Sequence, residues 1–338
     1  MISRRLFAQG FAGVVAAGTL AACSSDRDKA APATATTAAG HTEFASLKQV
    51  QAGPLDIGYA EAGPADGQPV ILLHGWPYDI HSYVDVAPDL AAAGYRVIVP
   101  YLRGYGSTTF LSADTVRNGQ QSAIASDIKA LMDALHIDQA VLGGYDWGSR
   151  TVGCVAALWP ERVKAAVLVS GYLVTNLKAQ QTPLAPAAEL GWWYQYYFAT
   201  ERGVRGYTAN RHDFNKLIWT NASPKWKFDD ATYERSAAAF GNPDHVAIVI
   251  HNYRWRLGLA DGEKQYDDIE QKLQTAPPIT VPSITIGSDF DGAAIDGAGY
   301  RKMFTGKYEH RVFKGVGHNV PQEAPKDFAK AIVDASHL

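Results

Sequence analysis

Gly144-Tyr145-Asp146-Trp147-Gly148 is the stretch that decides how this chain is read. Its spacing is that of a nucleophile elbow, G-x-Nu-x-G, with an aspartate in the central place. The apolar run 139–142 before it reads as a short strand, and 149–158 after it reads as a helix. Between a strand and a helix, the two glycines permit a tight, strained turn that lifts the central side chain above the sheet. An aspartate there points to attack by a carboxylate and to an ester between protein and substrate. Serine attacking a saturated carbon would leave a stable ether, whereas a carboxylate leaves an ester that water can cleave.

Working outward, the same strand signature recurs. Residues 70–73 form a continuous apolar run, as expected of a strand buried on both faces. Residues 96–100, 140–142, 165–169, 283–286 and 310–313 read the same way, and 48–61 reads as a hairpin broken at Ala52-Gly53-Pro54. Helical patterns lie between the runs at 84–93, 122–135, 149–158 and 325–335. Strands alternating with helices predict an α/β fold with a mostly parallel twisted sheet covered on both faces. The alternation lapses over 173–281, which is rich in Trp and Tyr and too long for a simple loop. That segment is expected to form an inserted helical cap between core segments 45–172 and 282–338.

Several residues share the chemistry of the elbow. His74-Gly75-Trp76-Pro77 ends the 70–73 strand, and its turn can aim the Trp76 N–H into the site. With the N–H of Trp147, this would form an oxyanion hole. His318, in the loop Gly315-Val316-Gly317-His318, is placed to act as general base. Asp291, with Asp289 as the reserve, follows the 283–286 strand and could fix the histidine tautomer.

The order Asp146, Asp291, His318 is that of an α/β-hydrolase triad. From about residue 47 onward the chain resembles the α/β-hydrolase fold, in the branch of epoxide hydrolases and haloalkane dehalogenases with an aspartate nucleophile. His74-Gly75-Trp76-Pro77 resembles the HGxP motif of epoxide hydrolases, and Tyr145-Asp146-Trp147-Gly148 their HDWG elbow, with Tyr145 for histidine. Ser288-Asp289-Phe290-Asp291 puts Asp291 in the family's G-x-x-D slot, with serine for glycine. Ser170-Gly171-Tyr172 has no carboxylate, unlike dehalogenases that place the acid there. Tyr194-Gln195-Tyr196-Tyr197-Phe198 and Asn252-Tyr253-Arg254-Trp255 resemble the cap segments that carry the two proton-donating tyrosines. The resemblance therefore implies Tyr194 and Tyr253 as donors to an epoxide oxygen, a vicinal diol as product, and no cofactor. Two other readings stay open. In dehalogenation a halide would leave toward the indoles of Trp147 and Trp76 or Trp193; Arg150 is similar to arginines of haloacid dehalogenases, which stand directly after the nucleophile. In the non-catalytic reading, an envelope lipoprotein binds a hydrophobic ligand.

The 338 residues are 47% hydrophobic and 19% charged, with a formal net charge of -3, so a large globular core is expected and nucleic acid is not a partner. Two cysteines and no H-E-x-x-H spacing argue against a disulfide framework and a zinc site. Ser3-Arg4-Arg5-Leu6-Phe7 resembles a twin-arginine export motif, and Leu20-Ala21-Ala22-Cys23 a lipobox. Residues 1–22 are thus expected to be a signal peptide, Cys23 a lipidation site, and 23–44 a tether. The expected location is a bacterial envelope, periplasmic or lipid-anchored, with membrane contact only through that anchor. A small hydrophobic epoxide or halogenated molecule is the expected substrate.

Overall fold

A computed structural model of the chain describes residues 43–44 and 46–338. The expected signal peptide, the expected lipidation site Cys23 and nearly all of the expected tether lie outside the described residues. Strands β1 (Leu47–Ala52) and β2 (Leu55–Ala62) form the expected hairpin, followed by β3 (Gln68–Leu73), α1 (Val86–Ala92), β4 (Tyr95–Pro100) and the two-residue β5 (Thr109–Phe110). Then come α2 (Gln121–Ala134), β6 (Ala140–Gly144), α3 (Trp147–Leu158) and β7 (Val163–Val169). Six helices follow before the sheet resumes: α4 (Pro186–Gly191), α5 (Trp193–Phe198), α6 (Glu201–Ala222), α7 (Asp230–Ala237), α8 (His245–Arg256) and α9 (Asp267–Gln274). The chain continues with β8 (Ser283–Ser288), β9 (Tyr308–Phe313), α10 (Val320–Glu323) and α11 (Pro325–Ala335).

The strands make one sheet in the order β1-β2-β4-β3-β6-β7-β8-β9, with β5 on β2. From β4 to β9 all pairings are parallel. Val70, Ile71, Leu72 and Leu73 on β3 are fully buried. Each such side chain contributes about 1.5–3 kcal/mol of burial. Helix α2 shows why the sheet is covered: Ile124, Ile128 and Leu131 face inward, while Lys129 and Asp133 pair on the outer face.

Three readings need correction. Residues 310–313 were expected to be buried on both faces, but β9 is the sheet edge and Val312 is 39% exposed. An edge strand has a neighbour on one side only, so an apolar run does not guarantee burial. The 84–93 helix is shorter at both ends: a 3₁₀ turn at Ile80–Tyr83 precedes α1, and Gly94, at φ 87°, lies just beyond its end. Helix α3 starts at Trp147 and not at 149, since the elbow feeds straight into its first turn.

Chain connections leave β3 toward β4 on one side, whereas β6 lies on the other. The crevice beyond the carboxyl ends of β3 and β6 is therefore a topological switch point, where open α/β sheets bind ligands. The loops after β3, β6, β8 and β9 carry Trp76, Asp146, Asp291 and His318.

Candidate active site

Asp146 has φ 52° and ψ -123°, a left-handed conformation that strains any residue but glycine. The turn survives because its neighbours leave it no alternative. A Cβ on Gly148 would sit 1.9 Å from the Leu73 carbonyl oxygen, and one on Gly75 would sit 2.3 Å from Asp146 Cβ. Backbone thus passes backbone where side chains cannot fit, and the carboxylate is pushed up into the crevice.

The Trp76 N–H donates to Asp146 Oδ1 at 2.7 Å. On the other oxygen, Oδ2 lies 3.4 Å from His318 Nε2. Burial pushes the Asp146 carboxyl upward, but His318, Arg150 and the Trp147 N–H outweigh it and hold the group below the ordinary carboxylate range. The two N–H groups expected to form an oxyanion hole therefore both act on this carboxylate. His74, which ends β3, is itself buried: its Nε2 accepts from the Leu102 N–H at 3.1 Å, and burial pushes its pKa down to about 4. It is a neutral pin for the loop that carries Trp76.

A cavity of about 400 Å³ opens over the carboxylate, with Trp76, Asp146, Trp193, Tyr194, Phe290 and His318 in its lining. Tyr194 faces this space from α5. Tyr253, on α8, packs behind it with the ring centroids 5.3 Å apart and near-perpendicular. Both tyrosines lie against the Trp76 ring, at 5.0 and 5.2 Å. Burial, reinforced by the Asp146 charge, raises the Tyr194 phenol, which keeps its proton at neutral pH.

The structure separates the two candidate acids. Asp289 reaches outward to Lys225 and the Gly315 N–H, so the reserve position is not beside the imidazole. Asp291 accepts from the Ser288 N–H at 2.8 Å as part of a capping box. The expected hydrogen bond to the histidine is not formed: His318 Nδ1 is buried without a partner. Burial raises the Asp291 carboxyl, opposed by Ser170, the Ser288 N–H and His318, which places it in the imidazole's electrostatic reach.

Residue patterns missed other members of the site. Phe290 lies 4.2 Å from the His318 ring, centroid to centroid. The His318 N–H is held by the Ser223 hydroxyl at 2.9 Å and lies 3.2 Å from the Ala222 carbonyl oxygen, at the end of α6. Tyr145, standing where the resembling family has histidine, is buried and shares a 2.6 Å hydrogen bond with Ser82. Trp76 Nε1 donates to Tyr207 at 2.9 Å. None of these contacts has a motif, since each joins residues far apart in the chain.

A family model described as the alpha/beta hydrolase fold matches residues 68–212. The chain is 34% identical over 218 residues to a haloalkane dehalogenase of Mycobacterium marinum, covering 60% of this chain and 67% of that protein. It is 31% identical over 150 residues to epoxide hydrolase B of Mycobacterium tuberculosis, covering 41% of this chain and 42% of that protein. It is also similar to the crystal structure of a candidate epoxide hydrolase from Klebsiella pneumoniae. That match has 61% identity and a TM-score of 0.86, and covers 87% of this chain and 98% of the other. The chain belongs to the α/β hydrolase fold family. Within the α/β hydrolases it groups with proteins named epoxide hydrolase and haloalkane dehalogenase.

Proposed function

We propose that this α/β hydrolase opens an epoxide to a vicinal diol through an ester on Asp146. One observation carries the reading: a part-buried, ionised aspartate faces an imidazole at 3.4 Å and a backbone N–H at 2.7 Å, beneath a cavity lined by Trp76, Trp193, Tyr194 and Phe290.

The Asp146 carboxylate attacks a ring carbon and the carbon–oxygen bond breaks. Tyr194, supported by Tyr253, gives its proton to the departing alkoxide, a poor leaving group in a dry cavity. His318 then takes a proton from water, and the hydroxide adds to the ester carbonyl. The Trp76 and Trp147 N–H groups stabilise the tetrahedral oxyanion, an effect of about 3–4 kcal/mol per donor. Collapse breaks the acyl–oxygen bond, and the new carboxyl proton passes to the diol alkoxide. The imidazolium returns its proton to the tyrosinate through solvent. Asp291 would steady the imidazolium, by a hydrogen bond to Nδ1 that forms only when substrate is bound.

The dehalogenase reading draws on the haloalkane dehalogenase relative and on Trp147 Nε1, a buried indole N–H without a partner. A halide cradle needs a second free indole: that of Trp76 is engaged by Tyr207, which leaves Trp193 of the cavity lining as its candidate. Combined Tyr194→Phe and Tyr253→Phe separates the two chemistries. Diol formation should fall by about 10²–10⁴ if tyrosines donate the proton, while halide release would be spared. The covalent step is tested by single turnover in heavy-oxygen water. Label is expected in the peptide carrying Asp146; turnover of an epoxide with no label there overturns the mechanism.

A further inference from the structure

Trp147 and Arg150 are three residues apart on α3, and Tyr253 and Arg256 are three apart on α8, so each pair shares a helix face. The two faces meet. The rings of Trp147 and Tyr253 are 5.9 Å apart, and the Arg256 guanidinium lies 5.5 Å from the centre of the Tyr253 ring. Arg150 and Arg256 are each only 7% exposed. Arg150 Nε donates to the Leu173 carbonyl at 3.0 Å, but its Nη1 has no partner, and neither has Arg256 Nε. Among the described residues, neither guanidinium forms an ion pair with a carboxylate. After burial, the charge of Arg256 is the largest influence on Arg150, whose pKa is pushed down to about 10.

Two buried like charges with spare donors are costly unless an anion joins them. Guanidinium forks suit such a ligand, because several N–H donors converge in one plane. The Asp146 charge favours the ionised Arg150 from a distance, but among the described residues no hydrogen bond or ion pair joins them, and the Asp146 oxygens face the Trp76 N–H and His318. We propose that Arg150 and Arg256 together form a buried receptor for one small monoanion, a carboxylate or a halide, beside Tyr253. The receptor is independent of the bond the enzyme breaks. If its ligand is the carboxylate end of a substrate, the preferred substrate class is an acid; if it is free halide, the ion is a resident counter-charge.

The purified protein in sodium HEPES at constant ionic strength is titrated with sodium formate and, separately, sodium chloride. A saturable rise in Tm of about 3 °C or more with at least one probe is expected. The rise should vanish in Arg150→Met combined with Arg256→Met. No saturable rise with either probe, or an equal rise in the double variant, overturns the proposal. Should the variant not fold, crystals of the unaltered protein soaked separately in bromide and in formate decide it. Density for the anion between the two guanidinium groups with either soak supports the receptor, and its absence with both overturns it. Formate that also inhibits turnover competitively identifies a substrate carboxylate; chloride that stabilises without inhibiting identifies a resident ion.

Discussion

Asp127 is a buried carboxylate and Asp146 a part-buried one, and the molecule treats them oppositely. Asp127, on α2, receives Arg103 Nε at 2.6 Å on one oxygen and Nη2 at 2.7 Å on the other. Arg103 in turn donates to the Asn118 carbonyl at 2.6 Å. Every strong donor there has its acceptor, so the pair locks α2 against the loop after β4. Asp146 has the Trp76 N–H on one oxygen, a 3.4 Å approach to an imidazole on the other and a weaker pull from the Trp147 N–H, and it borders a cavity. A carboxylate saturated by a guanidinium fork is a strut. One held by partial contacts keeps lone pairs for attack.

The sharpest break of that contrast is Asp146→Asn. Turnover should fall by at least about 10⁴, with Tm little changed, measured by diol release and thermal melts on the same sample. Next comes His318→Gln, which should cut steady turnover by about 10³ or more while leaving the first alkylation intact. Quenched-flow mass spectrometry should then find the Asp146 ester accumulating. At the strut, Asp127→Ala should destabilise by about 3–5 kcal/mol in urea melts, with turnover per folded molecule unchanged. Restoring an apolar pair with Arg103→Met and Asp127→Leu should recover most of that loss, since the stranded guanidinium carries the cost.

The smallest effect concerns pH. Asp146 titrates below its ordinary 3.8 when folded, so its ionised form adds stability above the unfolded value. That contribution is lost as pH falls through the folded value. The stability difference between the wild type and Asp146→Asn should therefore shift against the wild type on going from pH 7 into the range below 3.8. Melts at the two pH values check this; a shift in the other direction would mean that burial, not His318, governs the group.

Much of the sheet was legible because strands buried on two faces must be apolar throughout. Runs at 70–73, 96–100 and 165–169 fall within β3, β4 and β7. Legibility failed where burial depends on neighbours. The edge strand β9 has the same kind of run as a central strand but half the cover. At the site, the elbow announced Asp146 because glycines and a strand–helix junction are local signals. The missing His318–Asp291 hydrogen bond, the Phe290 contact and the Arg150–Arg256 pairing are long-range facts. Residue spacing carries no record of them, since the packing that creates them joins α3, α8 and the loops after β8 and β9.

The Ser223 hydroxyl that holds the His318 N–H also donates to Glu323 at 2.6 Å, which ties α6, the base-bearing loop and α10 into one joint. A doorway for incoming molecules cannot swing at that corner without dislodging the imidazole. The opposite wall is built from Ala187, Leu190 and Gly191 of α4, a helix with no buried residue, whose Leu190 is 73% exposed. The exposed part of the cavity rim is thus the one α4 supplies, so the size of side chains along that short helix changes the room above the carboxylate.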